Sequence, residues 1–136
     1  KADIKRQGTD VTLFAVGKQV NTALEAAEQL SAKGIEAEVL DPRSLSPLDE
    51  EAILVSLEKT NRLIIIDEAN PRCSIATDIA AFVADQGFDL LDAPIKRITA
   101  PHTPVPFSPV LEDIYLPTPD NIVNVTLELL GEPLAN

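Results

Sequence analysis

Apolar positions along this chain recur at two spacings, every second residue or every third to fourth, and glycines and prolines mark the changes between them. Val11–Val16 (VTLFAV), β-branched and aromatic, predicts a first parallel strand. Gly17 closes it, and Val20, Ala23, Leu24, Ala27 and Leu30 follow at helical spacing. Lys33-Gly34-Ile35 predicts a glycine stop with an aliphatic residue behind it. Glu36–Leu40 alternates into an apolar end, and Arg62–Asp67 holds the aliphatic run Leu63 to Ile66. Such runs belong to parallel sheets covered on both faces. Between these strands, Ser46-Pro47-Leu48-Asp49 predicts an N-cap at Ser46, a proline at the first helical position and an acid three residues past the cap. The stretch Ile35–Ala69 therefore reads as a βαβ crossover whose strands end in Asp41 and Asp67.

Downstream, Ser74 is expected to cap a helix with the face Ile75, Ile79, Phe82 and Val83, and Gly87-Phe88 reads as a second glycine stop. Ile95–Thr99 predicts a short strand. Six prolines between Ala100 and Pro119 exclude a central strand or a long helix there. An extended connection is expected, with one helical turn near Val110–Tyr115. Thr118-Pro119 opens a last helix expected to bury Ile122, Val125 and Leu129, and Lys1–Gln7 suits a short edge strand.

At 136 residues and 45% hydrophobic, the chain reads as one domain able to bury its own core. No stretch reaches the length of a membrane-spanning helix. Its 22 acids against 11 bases give a net charge of −11, which disfavours nucleic acid and suits a cationic protein partner. The lone Cys73 cannot form an internal disulfide and fits a reducing compartment. A chain that starts at Lys1 with no Met reads as a fragment or a processed product.

Candidate chemistry is sparse. Gly17-Lys18 sits between strand and helix, where an anion could bind, but no GxGxxG or GxxxxGK[ST] accompanies it, and the glycine reads first as a turn residue. His102, in Pro101-His102-Thr103-Pro104, could serve as a base, yet no acid and nucleophile are spaced to join it. Cys73 precedes a helix start and reads first as a packed residue rather than a reactive thiol. Asp67 and Glu68 point to opposite faces of a strand and would not act as a pair. One His and one Cys exclude a structural zinc site. The residues alone give an acidic α/β domain that binds something or assembles. One version of that is an independent module holding a small anion near Gly17, Asp41 and Asp67.

In their order, VTLFAVG, ALEAAEQL, IEAEVLDPRSLSPLDEEAI, TNRLIIIDEA, LDAPIKRITAPHTPVPFSP and YLPTPDNIV resemble the carboxy-terminal domain of thiamine-diphosphate-dependent dehydrogenase beta subunits, whose fold is shared with the last domain of transketolase. The resemblance runs from about Thr9 to Leu130. The segments Arg72–Thr77 and Pro101–Phe107 look most like the acetoin-cleaving branch, with pyruvate and branched-chain 2-oxoacid dehydrogenases as the alternative.

This resemblance implies a three-layer α/β/α domain spanning residues 1–136, with a mixed, mostly parallel five-stranded sheet and an antiparallel edge strand near Ala2–Arg6. It implies that the domain holds no catalytic, cofactor or metal residue, with thiamine diphosphate and Mg²⁺ bound elsewhere in the full enzyme. The implied partners are a second beta subunit, the alpha subunit and the small basic subunit-binding domain of a core acyltransferase. Membranes and nucleic acid are not implied, and the implied location is the bacterial cytoplasm. Asp92, which opens the D-A-P motif, matches a docking acid of the family. Read from its own neighbours, Asp92 is equally a turn-former ahead of Pro94.

Overall fold

An unbroken apolar strand is stable only with cover on both faces and a neighbour at each edge. Val11–Ala15 (β2) meets that condition, with every residue buried, and forms the middle of the sheet. The computed structural model describes residues 1–44, 47–67, 75–99 and 117–131, including their side chains except at 75–77 and 99. Around β2 the elements are β1 (Asp3–Arg6), α1 (Gln19–Ser31), β3 (Ala37–Asp41), α2 (Glu50–Thr60), β4 (Leu63–Asp67), α3 (Ile75–Gln86), a 3-10 turn (Phe88–Leu90), β5 (Lys96–Thr99) and α4 (Pro119–Leu130).

The strand order is β1-β3-β2-β4-β5, parallel throughout except for β1, which pairs antiparallel with β3 and carries a register irregularity between Ile4 and Arg6. This is the expected mixed five-stranded sheet with its antiparallel edge. From β2 the chain first crosses to β3 on one side, then returns past β2 to β4 on the other. Right-handed crossovers taken in opposite directions put their helices on opposite faces. One core accordingly joins Leu13, Val39, Ile64 and Ile66 to Ala23, Ala27 and Leu30 of α1 and Ile122 and Leu127 of α4. The other joins Phe14, Leu40, Leu63 and Ile65 to Ile53 and Leu57 of α2 and Ile79 and Val83 of α3.

Local chemistry sets the boundaries. Gly34 has φ +84 and the Ile35 N–H donates to Leu30 O at 3.0 Å, which is the predicted stop of α1. Thr118 caps α4, its Oγ1 accepting from Asn121 N at 3.2 Å, with Pro119 beginning the helix as expected.

Three expectations need correction. The cap of α2 is Asp49, not Ser46: its Oδ1 accepts from Ala52 N at 3.1 Å, and Pro47 lies in the turn before the helix. Gly87 is not a left-handed stop, having φ −121; a Cβ there would stand 3.0 Å from Leu54 Cδ2, so the position answers to packing against α2. In α4 the fully buried stripe is Ile122, Val123, Thr126 and Leu127, while Val125 and Leu129 pack at its border. The helix is apolar over a wide arc, and contact with α1 selects which part turns inward. Ser46, Glu68, Cys73, Ser74, His102, the proline connection and its expected helical turn lie outside the described residues.

Candidate functional site

Every parallel strand in this sheet has its carboxyl end at the same edge. Gly17, Asp41 and Asp67 therefore follow or end three adjacent strands, β2, β3 and β4, and the fold brings them together as expected. The β2–β4 pair is also where the crossovers change direction, the usual ligand position in open α/β sheets. Among the described residues the local chemistry at this edge does not suit an anion. Gln19 N–H donates to Val16 O at 3.1 Å and Val20 N–H to Gly17 O at 3.2 Å, so the first donors of α1 are already engaged. Asp41 and Asp67 place two carboxylates beside them, and Asp67 is only 6% exposed. Asp41 Oδ1 accepts from Arg43 N at 2.9 Å, closing a turn in which Arg43 has φ +62. Gly17, at φ +60, is needed for its backbone conformation.

The opposite edge holds a charged group that the sequence reading missed. Glu38 is fully buried, its Oε1 accepting from Lys59 Nζ at 2.6 Å and from Gly8 N at 3.1 Å, and its Oε2 from Ser56 Oγ at 2.7 Å. Thr12 Oγ1 extends the network to Ser56 Oγ at 2.7 Å and Thr60 Oγ1 at 2.6 Å. A buried carboxylate provided with three donors is held for structure.

Asp92 lies near this second edge, beyond the 3-10 turn and ahead of β5. Its N–H donates to Asn61 O at 2.8 Å, and Asn61 Nδ2 donates to Leu90 O at 2.8 Å. Asn61 ends α2 in the left-handed conformation, φ +58, which lets one residue both close the helix and hold the turn. Asp92 itself is exposed. The backbone of Asp92 thus makes the turn, and its side chain lies at the surface.

Three other carboxylates are held below the ordinary range. The Lys5 ammonium lowers Asp3, hydrogen bonding from Arg6 lowers Glu36, and backbone N–H bonds from Ala2 and Ala52 lower Asp49. All three belong to β1 or to the groups that fasten it. Among the described residues no three His, Cys, Asp or Glu side chains converge in a way that could hold a metal ion. No helix described is long and apolar enough to cross a membrane.

Comparison with known proteins gives a consistent assignment. The family model described as "Transketolase, C-terminal domain" matches residues 1–122. The chain is 89% identical over all 136 residues to the Bacillus subtilis acetoin:2,6-dichlorophenolindophenol oxidoreductase subunit beta, of which it covers 40%. It is 40% identical over 130 residues, 96% of its length, to the pyruvate dehydrogenase E1 component subunit beta of the same organism, again covering 40%. Among solved structures, a split-gene transketolase in an inactive beta4 tetramer matches 96% of this chain and 41% of its own, at 26% identity and a TM-score of 0.79. The chain thus spans about 40% of the length of these relatives.

Proposed function

Because this chain belongs to the transketolase C-terminal domain family, we propose that it is the carboxy-terminal domain of the beta subunit of a thiamine-diphosphate-dependent acetoin dehydrogenase, active in a bacterial cytoplasm. The observation that carries this reading is the contrast between two relatives from one organism: 89% identity to the acetoin enzyme's beta subunit against 40% to that of pyruvate dehydrogenase. A branched-chain or pyruvate substrate is the weaker reading on the same numbers.

Within that enzyme the domain serves assembly. It supports contact with a second beta subunit and with the alpha subunit, and it docks the core acyltransferase through that protein's small basic subunit-binding domain. Thiamine diphosphate and Mg²⁺ belong to the alpha subunit and the preceding beta domain, and the residues described here fit neither group. Among the described residues no metal-ligating set converges, and the leading N–H groups of α1 are already paired with carbonyls. The same pairing weighs against an independent anion-binding module.

Asp92 supports docking through its exposed carboxylate on a pinned turn, in a chain of net charge −11. The test is Asp92→Asn in the assembled enzyme, measured against the acyltransferase's subunit-binding domain by surface plasmon resonance. Association should slow and its salt dependence should flatten, as for charge pairs that steer an encounter. Unchanged association would leave Asp92 as a turn residue only.

A further inference from the structure

The turn that carries Asp92 also carries the most exposed of the large hydrophobic side chains among the described residues. Phe88 keeps 69% of its surface in water, while Leu90 and Leu91, two and three residues on, pack against the second core. Looseness does not account for this. Gly87 N donates to Val83 O at 2.8 Å, Leu90 N to Gly87 O at 2.9 Å and Leu91 N to Phe88 O at 3.1 Å. Asn61 then clips both Leu90 and Asp92, and Gly87 sits tight against Leu54 of α2. The backbone that presents the ring is thus fixed by bonds on both sides of it.

The surroundings are acidic. Between Ile79 and Ile95 the chain has Asp85, Asp89 and Asp92 and no Lys, Arg or His. On α2, which packs against this turn, the exposed stripe is Glu51, Val55 and Glu58, one residue per helical turn. The basic residue in the last turn of α2, Lys59, donates to Glu38 at 2.6 Å and Gln7 at 3.1 Å, so it is tied away from this face.

We propose that Phe88 is the apolar anchor by which this acidic face holds a basic protein surface, with Asp85, Asp89 and Asp92 guiding the approach. An arginine guanidinium suits such a place doubly, stacking on the ring while its charge meets the acids. Exposed rim charges set the rate of encounter, whereas a desolvated aromatic sets how long the complex lasts. The inference rests on the docking reading of Asp92 and adds a division of labour within it.

The test uses the assembled enzyme carrying Phe88→Ala or Asp92→Asn, with the subunit-binding domain as probe. Phe88→Ala should speed dissociation about tenfold and leave association and its salt slope nearly unchanged, the reverse of Asp92→Asn. Its thermal midpoint should match the parent, since the ring is exposed. Equal dissociation rates would overturn the anchor and leave docking intact. If the parent enzyme does not bind the probe, docking itself fails, and the anchor is judged with a synthetic arginine- and leucine-containing helical peptide. Equal affinity of parent and Phe88→Ala for that peptide overturns it. So does loss of beta–beta association in Phe88→Ala by light scattering, which would make the face a self-contact.

Discussion

Glu38 has no exposed surface, and a carboxylate so placed must find its donors inside the fold. Its side of the ion pair is inaccessible, while the Lys59 side chain remains 37% exposed and can turn to water. The two halves should therefore respond unequally to mutation. Lys59→Met strands a buried charge and should cost about 3–5 kcal/mol. Glu38→Gln keeps an acceptor for Gly8 or Ser56 and should cost about 1.5–3 kcal/mol. Urea unfolding with unchanged slope would measure both, and a Glu38→Gln penalty as large as that of Lys59→Met would refute this account. The pair is not legible in the sequence. Glu38 falls in an alternating strand, where a polar position reads as facing solvent, but a sheet covered on both faces has no solvent side. Its counter-charge lies 21 residues away, beyond any local pattern. Asp92, by contrast, is singled out as a docking acid only by the resemblance; its own neighbours suggest a turn.

Among the elements, the parallel strands and the stop at Gly34 are legible because each depends on a few adjacent residues. Helix caps and glycine roles are less so where a distant segment decides. Asp49 outcompetes Ser46 as the cap of α2 with a position that serves two donors, Ala52 N in the helix and Ala2 N beside β1. Gly8 is the sharper case. A Cβ there would collide with the backbone of Ala37 and Glu38, whereas at Gly87 the nearest atom is the flexible end of Leu54. Gly8→Ala should thus destabilise by more than about 3 kcal/mol, since backbone cannot yield as a side chain does. Gly87→Ala should stay within about 1 kcal/mol, the lost freedom of the unfolded chain offsetting a mild squeeze. Thermal or chemical denaturation of the two variants compares them directly. Similar losses would mean that close approach is not what keeps Gly8.

Across the whole molecule, the sheet order and its two cores agree with the resemblance, down to the antiparallel edge. The way that edge is fastened could not be read in advance. Arg6 reaches Glu36 at 2.9 Å, and Ala2 N reaches Asp49 at 3.1 Å. Both acids are held below their ordinary values, so the stability they lend is full above the unfolded range and is lost as pH falls through the lower folded values. Acidification below about pH 4 should therefore release β1 before it disturbs the cores. NMR signals of Ile4 should shift ahead of those of Ile64 and Ile65, and Glu36→Gln with Asp49→Asn should flatten the pH dependence. Simultaneous loss of all these signals would show that β1 is not a separate unit. The same strand has a consequence for colony life among many copies of the protein. A parallel sheet left open at β3 would offer its unpaired N–H and C=O groups to any neighbour and invite fibres. β1 closes that side with four residues, three of them charged, and its irregularity between Ile4 and Arg6 spoils the flat ladder another strand would need. On this side the edge resists pairing with another copy, so crowding of many copies need not extend the sheet from one molecule to the next.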